Sequence, residues 1–294
     1  MRLLVVFLDG VGREWLPHMP FLASLRPRPL YVEGGFTHVA VAAFFTGQAS
    51  VEEFWDRRAG RLRRHHFSLW DLGRPTLVDE LTARGVWQLY VNVPLMWPPR
   101  PLRGAMICDG LQAVRKGRLS WPEWLGEFAA DCWGYVPDLL SVCEDLGRPE
   151  ALDRAREVAG ARARAFAKLA QLADWGLAMV AFTAPDRLLH YRRQHGDGRL
   201  AEFMGHLDSL LEGLFLVLRP ERYLVWSDHG FTPDGYHGPD WPETWEGLVA
   251  TDLPGLPGRP TPADLHGAVL GLFSGREEGW CPCPSGATTS GTRT

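Results

Sequence analysis

Six aspartate and histidine side chains in this chain could bind metal ions, and most of them directly follow apolar segments. They are Asp9, Asp186, His190, Asp228, His229 and His237. Carboxylate oxygens and imidazole nitrogens without thiolates suit zinc, manganese or iron. Each residue alone also fits an ordinary role as a helix cap, a surface pair or a turn residue. Six ligands exceed the three that a catalytic zinc ion takes from the protein, so they divide naturally between two ions.

Thr37 is the candidate nucleophile that would act beside these ligands. It stands where a helix of small and apolar residues begins, and unpaired backbone N–H groups at a helix start favour an anion. A threonine hydroxyl is a poor nucleophile unless a base or a metal ion lowers its pKa. The same residue could serve as the N-cap of this helix, and a nucleophile at a helix start can do both.

Strands that alternate with helices must position these residues. Strands are predicted at 5–8, 29–32, 86–93, 176–182 and 222–227, and helices at 19–25, 39–45 (opened by residues 37–38), 75–85, 149–175, 199–218 and from 261 onward. This alternation predicts an α/β fold with a doubly wound, mostly parallel sheet and helices on both faces. Because parallel strands present the same ends at one edge of a sheet, the six side chains could converge there.

The composition predicts one catalytic domain over residues 1–275, with a small, mainly helical insertion at about 97–148. Residues 121–143 contain helical pieces broken at Gly134 and Pro137, and we expect them to lie outside the main sheet. Tryptophans of this region could stack on a nucleobase, although core packing competes: Trp97, Trp121, Trp124 and Trp133. Residues 276–294 are polar and small, which predicts a disordered tail.

Charge and cysteine usage narrow the class of protein. The net charge of −4 argues against a general nucleic-acid binder, and the most basic stretch, 57–66, is typical of a solvated loop or an anion-attracting rim. Five cysteines without a C-x-x-C pair indicate neither a disulfide framework nor a zinc ribbon. No stretch is long enough to cross a bilayer, so we expect no membrane partner and a cytoplasmic location.

The order of these motifs resembles the alkaline phosphatase superfamily, and within it the nucleotide pyrophosphatase/phosphodiesterase branch and its prokaryotic phosphohydrolase and phosphomutase relatives. Members begin with an apolar strand that ends on Asp-Gly, here residues 9–10, and place the nucleophile nine residues before a Thr-Gly pair. The pair Thr46-Gly47 therefore designates Thr37. Members continue with Asp-x-x-x-His, Ser-Asp-His-Gly and a histidine in a glycine loop, which match 186–190, 227–230 and 237–238.

The resemblance covers residues 9–273 and implies an alkaline phosphatase-like fold with two divalent metal ions, zinc being favoured and manganese possible. It assigns one ion to Asp186, His190 and His237, and the other to Asp9, Thr37, Asp228 and His229. The implied reaction is hydrolysis of a phosphate ester through a covalent phosphothreonine intermediate. A phosphodiesterase or nucleotide pyrophosphatase is favoured, with a nucleotide or another small diester as substrate and no stable nucleic-acid partner.

The sequence departs from this branch in its substrate-binding half. Val39-Ala40 stand where the branch has Pro then Asn, and Gln48 stands where His-Gly follows the Thr-Gly pair. No arginine matches a phosphate clamp, although three are near enough in sequence to propose as substrate-binding residues: Arg13, Arg187 and Arg192. A phosphomonoesterase, a phosphomutase and a non-catalytic metal-binding relative therefore remain alternatives. A sulfatase is disfavoured, because Thr37 is neither Cys nor Ser and lacks the x-Pro-x-Arg that follows.

Overall fold

The computed structural model describes residues 1–56, 58–59, 61–62, 68–108 and 119–275. The predicted disordered tail, residues 276–294, lies outside the described residues. Much of the basic stretch 57–66 and residues 109–118 of the predicted insertion lie outside them as well.

An eight-stranded sheet forms the centre of the fold. The strands in chain order are β1 (Leu3–Leu8), β2 (Arg28–Tyr31), β3 (Trp55–Asp56), β4 (Arg61–Leu62), β5 (Gln88–Val91), β6 (Gly104–Ile107), β7 (Ser120–Trp121), β8 (Leu177–Phe182), β9 (Arg222–Ser227) and β10 (Glu246–Thr251). The order across the sheet is β2-β10-β9-β1-β8-β5-β6-β7, while β3 and β4 pair only with each other. The strands from β9 to β6 are parallel, whereas β10 and β7 run antiparallel to their neighbours. The predicted mostly parallel sheet is confirmed.

Helices cover both faces of this sheet. They are α1 (Pro20–Ser24), α2 (Thr37–Thr46), α3 (Val51–Phe54), α4 (Leu77–Ala83), α5 (Trp124–Trp133), α6 (Glu150–Gln171), α7 (Ala184–Leu189), α8 (Arg192–His195), α9 (Asp197–Leu218) and α10 (Pro262–Leu272). Strand β1 is fully buried because its alternate residues enter two different cores. Leu4 and Val6 belong to the core that contains α6 and α9, and Leu3 and Val5 belong to the core that contains α2 and α10.

The structure corrects the boundary of the predicted insertion. Strands β6 and β7 fall within residues 97–148 but belong to the main sheet, so Trp121 does not lie outside it. In the described part of the remainder, α5 is followed by the cap residue Gly134, whose φ of 65° is readily adopted by glycine. Cys132 and Cys143 are free thiols. None of the described helices is long and apolar enough to cross a membrane.

Candidate active site

Three neighbouring parallel strands bring the predicted aspartates together. Asp9 directly follows β1, and Asp228 directly follows β9, its partner in the sheet. The Gly10 backbone N–H donates a hydrogen bond to Asp228 Oδ1 at 3.1 Å, which ties the two strand ends together. Asp186 lies in the first turn of α7, just after β8 on the other side of β1. The convergence predicted for the strand ends is therefore present in the structure.

The histidines close the site around Asp186. His190 Nε2 lies 3.6 Å from Asp186 Oδ1, one turn further along the chain. His237 reaches in from its glycine loop, where its Nε2 lies 3.4 Å from Asp186 Oδ1 and 3.3 Å from His190 Nε2. The His229 ring stacks on the His237 ring with centroids 3.8 Å apart and an interplanar angle of 5°.

Two groups of side chains have the spacing of metal ligands. One contains Asp186, His229 and His237, the other contains Asp9, Asp228 and His229, and within each group the ligand atoms lie within 4.8 Å of one another. His229 belongs to both, since its Nε2 lies 3.7 Å from Asp186 Oδ1 and 3.4 Å from Asp228 Oδ2.

A buried carboxylate oxygen in each group has no hydrogen-bond donor. These atoms are Asp186 Oδ1 and Asp228 Oδ2, within the part of the chain that the structure describes. A buried carboxylate oxygen without a donor is costly, and a divalent cation in each group would satisfy the oxygen of that group. The donor set of carboxylates and imidazoles is also the one that zinc and manganese accept. The residues present therefore fit two divalent cations.

The Thr37 hydroxyl points into this cluster. It lies at the first residue of α2, one residue after the N-cap position, which is occupied by Phe36. It donates to Asp9 Oδ1 at 3.1 Å, and it lies 3.4 Å from His229 Nε2. From the sequence, Thr37 could be an N-cap or a nucleophile beside the metal ligands. The direction of its hydroxyl favours the second role.

The proximity of three carboxyl groups separates their pKa values. Burial raises the pKa of Asp228 to about 7, and the nearby Asp186 carboxylate contributes to the rise. Burial and the charges of Asp186 and Asp228 likewise raise the pKa of Asp9 well above its usual value. Burial alone would raise the pKa of Asp186, but the His237 imidazole and the Arg187 guanidinium outweigh it and leave that pKa far below the usual range. Asp186 is therefore favoured as the ionised carboxylate, and its charge makes ionisation of Asp9 and Asp228 more costly.

The pKa values of two imidazoles are also shifted in opposite directions. Burial lowers the pKa of His229 well below its usual value, because the ring is fully enclosed beside other imidazoles. Burial would also lower the pKa of His237, but its contact with Asp186 outweighs burial and raises it. A histidine that is neutral near pH 7 can bind a metal ion through its free nitrogen.

A cavity of about 170 Å³ opens beside Thr37. One side is ionic, and the other is formed by residues that the sequence did not identify: Phe36, His38, Pro94 and Leu95. The Phe36 and His38 rings stack at 4.8 Å. Because Phe36 and His38 stand on either side of Thr37 in the sequence, they could have been predicted to line the cavity. The position of Pro94 and Leu95 depends on how an irregular segment folds over the site, so the sequence could not indicate it. The tryptophans proposed as a stacking wall are not among the described residues that line the cavity.

The three proposed arginines have different surroundings. Arg187 lines the cavity, and its Nη1 donates to Asp186 Oδ2 at 2.5 Å. Arg13 pairs with Glu246 at 3.8 Å, and neither belongs to the cavity lining. Arg192 pairs with Asp197 at 2.7 Å, also outside the lining. The structure thus brings only Arg187 to the ligands.

No protein-family model matches the chain, and no curated protein does. Among solved structures, the chain is similar to phosphonoacetate hydrolase from Sinorhizobium meliloti 1021 in complex with phosphonoformate, with 17% identity over 77% of this chain and 55% of that one, at a TM-score of 0.48. It is also similar to inactive murine ectonucleotide pyrophosphatase/phosphodiesterase 5 in complex with AMP, with 12% identity over 78% of this chain and 57% of that one, at a TM-score of 0.45. The chain therefore spans just over half the length of these two proteins.

A mutant alkaline phosphatase of the Antarctic bacterium TAB5 with Mg bound in its M3 site matches over more of both chains. The identity is 10%, the match covers 92% of this chain and 97% of that one, and the TM-score is 0.54. The chain has the alkaline phosphatase-like α/β fold, and the predicted resemblance to that superfamily is confirmed for the fold.

Proposed function

We propose that this chain is a metal-dependent hydrolase of phosphate esters in which Thr37 is the nucleophile. The observation that carries the proposal is the position of the Thr37 hydroxyl, 3.1 Å from Asp9 Oδ1 and 3.4 Å from His229 Nε2, at the mouth of the cavity that the ligand cluster borders. A hydroxyl held among buried carboxylates and imidazoles is where a nucleophile of this class must be placed.

The ligand cluster would hold two divalent cations, with zinc favoured over manganese. Asp186, His190 and His237 would bind one cation, and Asp9, Thr37, Asp228 and His229 would bind the other. Bound cations supply Lewis acidity toward the phosphoryl oxygens and favour deprotonation of the nucleophile.

The side chains of this protein orient the reacting groups. The hydrogen bond to Asp9 aims the Thr37 hydroxyl, whose oxygen forms the new bond to phosphorus while the bond to the leaving alcohol breaks. Arg187 lines the same cavity and offsets part of the negative charge of the phosphoryl group. Water then hydrolyses the phosphothreonine and restores the Thr37 hydroxyl.

The cavity wall favours a diester over a monoester. The phosphoryl group of a monoester presents three charged oxygens around phosphorus, whereas a diester replaces one of them by an organic substituent. Phe36, Pro94 and Leu95 form an apolar side of the cavity beside Thr37, and such a surface suits an organic substituent better than a charged oxygen. A nucleotide or another small diester is therefore the substrate class that we propose.

The test compares bis-(p-nitrophenyl) phosphate with p-nitrophenyl phosphate on the metal-loaded protein. Wild type should turn over the diester faster. Thr37→Ala should lower kcat by several orders of magnitude with metal content unchanged, as loss of a nucleophile does in other enzymes. Thr46→Ala is the matched control, since Thr46 ends the same helix about 14 Å away along its axis. Full activity in Thr37→Ala would show that the nucleophile is another residue.

A phosphomonoesterase or phosphomutase is the second candidate, because Arg187 gives the cavity one guanidinium that could bind a dianionic phosphate. Faster turnover of the monoester would replace the diesterase proposal by this one. A mutase would return the phosphoryl group to its substrate and release little free phosphate. A protein that binds metal but hydrolyses neither ester would be the non-catalytic relative.

A further inference from the structure

A buried network of polar side chains lies beneath the candidate active site. Its centre is Arg162 in α6, which is only 1% exposed. Arg162 Nη1 donates to the Ala181 carbonyl at 3.2 Å and to Thr183 Oγ1 at 3.4 Å, and Nη2 donates to the Pro137 carbonyl at 3.0 Å. A buried guanidinium is tolerated only where such acceptors are fixed in place. Arg162 therefore joins α6 to the end of β8.

The network continues to β5 and β6, the two strands that follow β8 across the sheet. Asn92, which directly follows β5 and is fully buried, has its Nδ2 3.5 Å from Thr183 Oγ1. Its Oδ1 accepts a hydrogen bond from the Tyr135 hydroxyl at 2.9 Å. The same hydroxyl lies 3.2 Å from the carbonyl of Cys108, the residue that follows β6. The ends of β8, β5 and β6 are thus connected by side chains at the edge of the sheet that carries the site.

Each arm of the network ends next to a different part of the site. Thr183 is the residue immediately before α7, the helix that carries Asp186 and Arg187. Asn92 is two residues before Pro94, which with Leu95 forms the apolar side of the cavity. Asn92 has a φ of 61°, a left-handed backbone conformation that its side-chain contacts help to hold.

We propose that Arg162 is a positioning residue that sets the metal-ligand helix α7 relative to the cavity wall, with Thr183 and Asn92 as its two arms. The inference rests on the proposed function above. The Thr183 arm orients Asp186, and the Asn92 arm, supported by Tyr135, holds the wall at Pro94. Side chains that reach neither metal nor substrate thereby determine the shape of the cavity.

The two arms are tested by minimal substitutions with different readouts. Thr183→Val removes one hydroxyl and should weaken one of the two metal-binding steps by up to about tenfold, the low end of the effect of losing a direct partner of a metal ligand, because Thr183 acts on Asp186 only through the start of α7. The measurement is competition for zinc with a chromophoric chelator. Thr183→Ser restores the hydroxyl and should return the affinity to the wild-type value.

Tyr135→Phe removes only the hydroxyl that supports Asn92. It should raise KM for the diester severalfold while kcat and zinc affinity stay near wild type, because the wall moves and the ligands do not. Arg162→Met removes the centre of the network and should show both effects. Arg84→Met is its control, since Arg84 also donates to a backbone carbonyl, that of Leu270 at 2.8 Å, but does not line the cavity.

The outcomes separate this inference from the proposed function. A wild-type protein that neither binds zinc nor hydrolyses an ester would contradict the proposed function. If wild type does both, and Thr183→Val and Tyr135→Phe lower only the midpoint of thermal unfolding, the network is merely structural and the inference is wrong. These two variants decide the question even if Arg162→Met does not fold.

Discussion

The crowding of three carboxylates leads to a specific prediction for the stability of Asp228→Asn in the metal-free protein. The substitution keeps an oxygen that can accept the Gly10 hydrogen bond, and it removes one buried negative charge. A pKa raised from 3.8 to about 7 corresponds to a cost of ionisation on the order of 4 kcal/mol at neutral pH. Metal-free Asp228→Asn should therefore be more stable than metal-free wild type by up to about that amount. For a domain of this size, the midpoint of thermal unfolding should rise by up to about 8 °C.

The sign of this effect with pH follows from the direction of the shift. Because the folded-state pKa of Asp228 lies above the unfolded value, the cost is absent below pH 3.8 and complete only above about pH 7. The advantage of Asp228→Asn should therefore grow between these values and vanish in acid. The assay is thermal unfolding after chelation, from pH 4 to pH 8. With zinc bound the order should reverse, since the variant has lost a charged ligand.

The matched control is Asp208→Asn. Asp208 is 3% exposed, but it accepts hydrogen bonds from the backbone N–H groups of Phe21 at 2.8 Å and Leu22 at 2.9 Å. An amide can replace only one of its two acceptor oxygens, so this variant should be less stable than wild type rather than more stable. If metal-free Asp228→Asn is no more stable than wild type at pH 7.5, the electrostatic account of the site is refuted.

Two further predictions concern the bound metal ions and the backbone conformation of Gly10. Removal of the metal ions by a chelator should lower the free energy of unfolding by about 4 kcal/mol for each ion whose free concentration had been 1,000 times its Kd. The measurement is thermal unfolding before and after chelation, with zinc added back, and an unchanged midpoint would contradict the metal sites. Gly10→Ala should destabilise more than Gly85→Ala, although both have positive φ, because its Cβ would lie 2.7 Å from the Phe231 ring whereas Gly85 has open space. Equal losses in chemical denaturation would refute this reasoning.

The sequence predicted β1, β5, β8 and β9, four of the five parallel strands, because each contains at least three consecutive apolar residues. It did not predict β6, β7 and β10, which are short or interrupted by glycine. Gly247 shows why: a Cβ there would lie 2.0 Å from the Ser227 carbonyl, so β10 can pair with β9 only if this residue has no side chain. In a pattern of apolar residues, the same glycine weakens the prediction of a strand.

The residues of the site also differ in whether the sequence could predict their position. Residues at strand ends, such as Asp9 and Asp228, were predictable because parallel strands place them at one edge whatever the loops do. Arg13 and Arg192 are near the ligands in sequence but pair with acidic residues elsewhere, and such choices depend on three-dimensional contacts that spacing does not encode. The cavity wall depends on the irregular segment after Asn92 for the same reason.

His229 shows how far the family resemblance can assign ligands to individual ions. The resemblance placed it with Asp9 and Asp228, yet its Nε2 lies 3.8 Å from Asp9 Oδ1 and 3.7 Å from Asp186 Oδ1, almost midway between the two groups. Its Nδ1 lies 3.1 Å from the Gly230 carbonyl, which directs Nε2 toward the ligands. A ring fixed between two cation positions makes their occupancies interdependent, because a cation bound to Nε2 withdraws that nitrogen from the other position. Zinc should therefore bind in two unequal steps, and His229→Ala should weaken both, whereas His190→Ala should weaken only the step that involves Asp186.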